Sequence, residues 1–383
     1  MSTSLTPDEL VRLVERVFQP TEADHGLAVL ADLPDGRRVD TPDWGVRRAL
    51  ADAWARMLLE RRETLGLQRV SMVWYRNAGS NNADLPEVCW ATEPGVVPAH
   101  ARELQGRDLV SFPEVFTAHS IILALTELSA TAPLKVAARG GAFRAATMPG
   151  FLPSMVPALR IDYGEVDRRV RALKARLDRA GAARLVWEAA GVRHELTLDL
   201  RHREAHASGG LLPENGAAGN LPSGEAYIVP YEGEIAGDPS RSAGTIPVEF
   251  DGEIVVYEVQ GNRAVSVLSR GPRSEEEARL LAAEPAYANL AELGLGVLGD
   301  FGLEPTGSIL LDEKLGLHVA FGRSDHFGGM VGPDAFSRPE AVVHLDRVYI
   351  PGCQPQIAVK EVVLADDGGE RVLMRDGAWV DAF

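Results

Sequence analysis

Cysteine is nearly missing from this 383-residue chain, which has only Cys89 and Cys353. Two cysteines cannot staple a disulfide scaffold, and they suit a reducing compartment, so a cytoplasmic protein is expected. They form no CxxC pair, which removes a thiolate zinc site. Positive charge is also short: 39 Lys and Arg against 55 Asp and Glu leave a net charge of −16. So acidic a surface repels phosphate backbones, and nucleic acid is not expected as a partner. No run of about 18 uncharged apolar residues occurs, so no membrane partner is expected. The N-terminus, MSTSLTPDELVRLVERVF, lacks a basic stretch followed by a long apolar one and does not read as a secretory signal. HExxH and GxSxG are both absent, which sets aside a helical zinc protease and a serine-hydrolase elbow.

What remains is ordinary globular material, long enough to bury a large core and, at roughly 150 residues per domain, to make two domains. Thr6, Pro7 and Glu9 form a capping box ahead of an apolar face of Leu10, Leu13, Val14 and Val17, so a first helix is expected there. A second helix is expected from Val46 to Leu65, a buried strand from Val70 to Tyr75, a helix from Ile121 to Leu128 and a short strand from Leu134 to Ala137. That alternation is the signature of an α/β layer. A helix from Val166 to Ala180 ends at Gly181, and LVWEA and HELTLDL read as two strands about a glycine turn. The Gly, Ala, Asn and Pro-rich segment from Ala205 to Gly219 reads as a domain connection. Beyond it, Asp251-Gly252 and Gly261-Asn262 mark tight hairpin turns, and Ser274 with Glu277 marks a helix start. The expected architecture is an α/β N-terminal domain over residues 1–205 and an α+β C-terminal domain over residues 206–383.

The residues that could carry chemistry lie in the second half. On a strand, His344 and Asp346 share a face, about 6–7 Å apart at the backbone, and could grip one divalent ion. His318 lies among apolar neighbours in DEKLGLHVAFG, where a lone histidine is as readily part of a core. Glu225 follows a turn, NLPSG, whose Pro222 and Gly224 set an unusual backbone path. Glu292 is a single acid in an apolar, glycine-containing run, and a carboxylate buried there is costly without a partner or a metal. Gly294 to Gly299 matches GxGxxG, but an alanine-rich, helix-like stretch precedes it where a dinucleotide fingerprint needs a strand.

Together these pieces resemble the aminopeptidase T and aminopeptidase S family of metallopeptidases. The resemblance rests on NLPSGE ending at Glu225, AELGLG with Glu292, DEKLGLHVAFG with His318, and VVHLD with His344 and Asp346, all in family order. It covers Ala130 to Ile350 well and the first 100 residues loosely. It implies two divalent ions, zinc, cobalt or manganese, held by those five residues, a two-domain subunit that forms a homodimer, and removal of an N-terminal amino acid from a peptide or small amide by metal-activated water. Three carboxylates and two imidazoles suit borderline divalent metals. The family has a tyrosine seven residues after its first metal-site histidine. Here Asp325 stands at that position, followed by His326, so one of these takes over the role or peptide hydrolysis is lost. The chain is also similar to the related 2,5-dihydroxypyridine 5,6-dioxygenase family, which implies one iron on two histidines and an aspartate. That family has a histidine where this chain has Glu292, and no glutamate at the Glu225 position. Retention of both glutamates favours the hydrolase. A non-catalytic binding protein on the same scaffold is the third alternative.

Overall fold

The computed structural model describes residues 2–380 and 383. The chain divides into two compact units, Met1–Gly164 with Gly210–Ser223, and Glu165–Gly209 with Gly224–Phe383.

The first unit is built on one sheet. Strands β1 (Gly26–Leu33), β2 (Arg69–Arg76), β3 (Val88–Thr92), β4 (Val110–Ser111), β5 (Ile121–Ala124) and β6 (Arg144–Thr147) are joined by an edge strand, Ala218–Asn220, that enters from later in the chain. The edge strand, β6, β5, β1 and β2 lie side by side in that order and run parallel, while β3 and β4 add an antiparallel margin. Helix α1 (Pro7–Phe18) begins with the expected capping box, Thr6 accepting from the Glu9 N–H and Glu9 accepting from the Thr6 N–H. Helix α2 (Pro42–Glu60) covers β1 and β2, and all eight residues of β1 are buried. Helices α3 (Phe112–Ala118) and α4 (Thr131–Arg139) follow.

Two sequence expectations invert here. Ile121 to Leu128, expected as a helix, holds strand β5, and Leu134 to Ala137, expected as a strand, lies in helix α4. A strand buried on both faces of a parallel sheet reads as one continuous apolar run, and such a run carries no period to separate it from a buried helix turn.

The second unit is antiparallel throughout. Helix α5 (Tyr163–Leu177) leads into strands β7 (Ala182–Ala189) and β8 (Val192–Asp199), then β9 (His206–Ser208); β10 is the Ala218–Asn220 edge strand already placed. The remaining strands are β11 (Glu225–Ile228), β12 (Ala243–Phe250), β13 (Glu253–Gln260), β14 (Arg263–Val267), β15 (Leu290–Gly296), β16 (Leu317–Gly322), β17 (His344–Val348), β18 (Ile357–Asp366), β19 (Gly369–Arg375) and β20 (Ala378–Trp379). They form an eight-stranded sheet, β14-β13-β12-β8-β7-β18-β19-β20, and a five-stranded sheet, β17-β16-β15-β11-β9.

Asp251 and Gly252, like Gly261 and Asn262, all have positive φ, as the expected tight hairpin turns require. Helix α6 (Pro272–Ala283) starts two residues earlier than its sequence signal. Ser274 is not the cap; the carboxylate of Glu253, from the neighbouring hairpin, accepts from the Arg273 and Ser274 N–H groups. Residues 165–205, placed by the sequence with the first domain, pack in the second unit, because β7 zips against β18 from Ile357 to Ala365. The Gly-rich connection contains β9, which borders β11. Among the described residues no helix is long and apolar enough to cross a membrane.

Candidate metal centre

Residues directly opposed in an antiparallel ladder project from the same face of the sheet. Tyr227 opposes Gly294, which opposes His318; Glu292 opposes Ala320, which opposes Asp346; Gly322 opposes His344; and Glu225 opposes Gly296. Strand alternation therefore brings Glu225, Tyr227, Glu292, His318, His344 and Asp346 to one face of the five-stranded sheet. The small residues between them leave room. A Cβ at Gly294 would coincide with the His318 ring, and one at Gly296 would strike the Lys314 backbone. A Cβ at Gly224, beside Glu225, would run into Leu298. The GxGxxG run is thus explained by close packing around this site.

Two triplets of possible ligand atoms result, Glu225–Glu292–His318 and Glu292–His344–Asp346, each lying within 4.8 Å. Glu292 belongs to both. Its Oε1 is 3.3 Å from His318 Nε2, and its Oε2 is 3.2 Å from His344 Nε2. His344 Nε2 also lies 3.4 Å from Asp346 Oδ1. The far nitrogen of each ring faces a carbonyl: His344 Nδ1 is 2.8 Å from Arg323 O, and His318 Nδ1 is 3.4 Å from Gly316 O. With Nδ1–H donating to a carbonyl, Nε2 is left to bind, which is how histidine ligands are commonly oriented.

Glu292 is 4% exposed and His318 fully buried. Burial would raise the Glu292 carboxyl, but hydrogen bonds from His318 and His344 hold it well below the usual carboxylate range. Burial works against charge on His318, and the facing Glu292, Glu225 and Asp346 outweigh it, raising the imidazole to about 9. His344 is raised well above its ordinary value by Asp346 and Glu292 despite its burial. Asp346 is lowered by His344 against the effect of its own burial. The acids stay ionised and draw positive charge, which protons on the two rings supply. Divalent cations would supply the same charge and displace those protons.

The donor set fits such ions. Glu225 Oε1 accepts from Lys314 Nζ at 2.7 Å, while Oε2 is buried, accepts no hydrogen bond, and lies 3.5 Å from His318 Nε2. A buried carboxylate oxygen without a donor has the chemistry of a metal ligand. Glu225, Glu292 and His318 could hold one ion, and Glu292, His344 and Asp346 a second.

Asp325 and His326 lie at the edge. Asp325 is exposed and bound by Arg323 Nε at 2.5 Å, outside both triplets. The His326 ring stands 5.2 Å from that of His344, edge to face. Desolvation of its ring and the positive charges of His344 and Arg323 lower His326 to about 4.

Sequence reasoning passed over two further residues. Lys314 is 1% exposed and bridges Glu225 and Glu313. Burial opposes its charge, and the two carboxylates hold it above the usual lysine range. Its adjacency to Glu313 in DEK was visible, but its depth was not. Tyr227, two residues after Glu225, is braced by the His206 ring at 5.1 Å and the Phe327 ring at 4.8 Å. Burial, then the charges of Glu292 and Glu225, push its phenol upward. The i, i+2 spacing from Glu225 was the available signal.

No protein-family model and no curated protein sequence matches the chain. Solved structures do. The 2,5-dihydroxypyridine dioxygenase from Pseudomonas putida KT2440 superposes with a TM-score of 0.61 at 14% identity, over 99% of each chain. Wild-type AmpT from Thermus thermophilus superposes with a TM-score of 0.54 at 18% identity, over 98% of each chain. The mixed α/β fold with several sheets is shared with both.

Proposed function

We propose that this chain is a dinuclear metal-dependent hydrolase that removes an N-terminal amino acid from a peptide or a small amide. The observation that carries the reading is Glu292, whose two oxygens face two different histidines at 3.3 and 3.2 Å and so divide the ligands into two triplets with one shared carboxylate. Two divalent ions held there, zinc, cobalt or manganese, would activate a water and polarise the scissile carbonyl. The chain's own residues do the rest. Lys314 fixes one oxygen of Glu225 and leaves the other facing the site. The Arg323 and Gly316 carbonyls set the tautomer of the two rings. Glu292 and Asp346, both ionised, would serve as ligands to those ions, with Glu292 shared between them. Asp325 and His326 line the approach. We further propose a cytoplasmic homodimer, to be checked by light scattering at physiological salt.

A second reading has its own support. Of the two, the dioxygenase gives the higher structural similarity, and His344 with Asp346 supplies two of the three ligands of a two-histidine, one-carboxylate iron site. That reading needs both histidines on one ion, whereas here each belongs to a different triplet around Glu292.

Metal analysis of protein purified without added metal separates the readings. Two zinc-like ions per chain, with chelator-sensitive cleavage of aminoacyl-anilides, is the expected result. One iron per chain with ring opening of a dihydroxypyridine overturns it, and no bound metal points to a binding protein.

A further inference from the structure

Tyr227 shares the sheet face that carries Glu225, Glu292 and His318, belongs to neither ligand triplet, and has a phenol on which the charges of Glu292 and Glu225 act. It leaves β11 on the same side as Glu225, and the residue opposite it, Gly294, has no side chain to intervene before His318. Its ring has little freedom, being stacked on His206 at an interplanar angle of 26° and met by Phe327 at 63°. Phe327 in turn stands 5.5 Å from the His344 ring, so the brace reaches both ends of the site. The hydroxyl is not spent on any hydrogen bond among the described residues. Asp325 cannot serve in its place, since an ionised carboxylate only accepts hydrogen bonds and this one is turned to Arg323. A fixed ring with an uncommitted O–H beside a carbonyl-polarising site is what stabilisation of a developing oxyanion requires.

We propose that the Tyr227 hydroxyl donates a hydrogen bond to the substrate carbonyl oxygen as it becomes an oxyanion, and that Tyr227 is therefore a catalytic residue. This rests on the hydrolase reading above. No bond is made or broken by the tyrosine; it keeps its proton throughout.

The test is Tyr227→Phe, which deletes the hydroxyl and keeps the ring and its two braces. Zinc alone is titrated calorimetrically into metal-free parent and variant. The phosphonic acid analogue of leucine, a tetrahedral anion, is then titrated into each zinc-loaded protein. The expected result is zinc affinity and stoichiometry unchanged within about twofold, phosphonate binding weaker by about ten- to a hundredfold, and kcat on leucine anilide lower by about a hundredfold with KM little changed. Equal phosphonate affinity in the two proteins overturns the role of Tyr227 and leaves the hydrolase reading standing. Loss of a zinc ion in the variant overturns it too, because Tyr227 would then be a ligand. A parent that loads zinc yet binds no phosphonate and cleaves no anilide overturns the hydrolase reading and this inference with it.

Discussion

Strand β1 of the first unit and strand β15 of the second are alike in one respect: each is buried along its whole length and each carries a single acid, Asp32 and Glu292. Their surroundings differ. Asp32 accepts from the backbone N–H of Glu127 at 2.7 Å and of Leu128 at 3.0 Å, and from the Trp44 indole at 3.1 Å. Its oxygens are used up in pinning a loop and a helix to the strand. Glu292 accepts from no backbone N–H among the described residues; its two oxygens face two imidazoles, with the Glu225 and Asp346 carboxylates close by. A buried acid saturated by neutral donors is a structural bolt; one that faces other ligand groups is a site. The electrostatics agree. Burial raises Asp32 to about 6 despite its hydrogen bonds, whereas the histidines hold Glu292 well below the usual range against the same penalty.

The comparison breaks or sharpens under four measurements. The largest effect is expected from Glu292→Gln, which should remove metal from both triplets and cut turnover by on the order of a thousandfold, about 4 kcal/mol of transition-state stabilisation, with the fold retained by circular dichroism. Retained metal content would show that the two acids do not differ in kind. Asp32→Ala should do the reverse. It leaves the Glu127 and Leu128 N–H groups without their acceptor, while the Trp44 indole keeps the residue-32 backbone carbonyl at 3.0 Å, at a cost of about 3 kcal/mol in urea unfolding, with metal stoichiometry unchanged.

The third measurement is of pH. The folded value of Asp32, about 6, lies above its ordinary value of 3.8, so the folded state binds a proton that the unfolded state has lost. The contribution of Asp32 is fullest below about pH 4 and is lost as pH rises to about 6. Subtracting the pH profile of Asp32→Asn from that of the parent should leave a fall on the order of 2 kcal/mol across that window. A difference that rises with pH would mean the carboxylate is stabilised, not penalised, by its burial. The smallest effect is expected from Gly294→Ala. The added methyl must displace the His318 ring, and zinc affinity should drop about tenfold, about 1.4 kcal/mol, by calorimetry.

Local chemistry made several elements legible before any coordinates. The Thr6–Glu9 box, the Asp251-Gly252 turn and the alternation of Leu196, Leu198 and Leu200 each depend on residues within a few positions of one another, and α1, the β12–β13 hairpin and β8 lie where those signals put them. Ile121 to Leu128 and Leu134 to Ala137 carried too few residues and no clear period, and their states were exchanged. The place of α5 and the β7–β8 hairpin was not legible either, because it depends on β18, more than 150 positions away in the chain. At the site, the resemblance of four short motifs singled out the five residues that make up the two triplets. It did not single out Lys314, whose role depends on its depth, or Tyr227, whose role depends on the bare Gly294 opposite.

The amino-acid sequence by itself determined the inventory: caps and turns, a chain poor in cysteine and rich in acids, and the order of two histidines and three carboxylates. These are properties of single residues and near neighbours, which the backbone expresses wherever the segment lies. The tertiary structure alone decided that Glu225, Glu292, His318, His344 and Asp346 share one sheet face, that Glu292 stands between the two rings, and that Lys314 is buried against Glu225. Registers between strands far apart in sequence set those distances, and the closing of long loops is rewarded only when the whole sheet assembles.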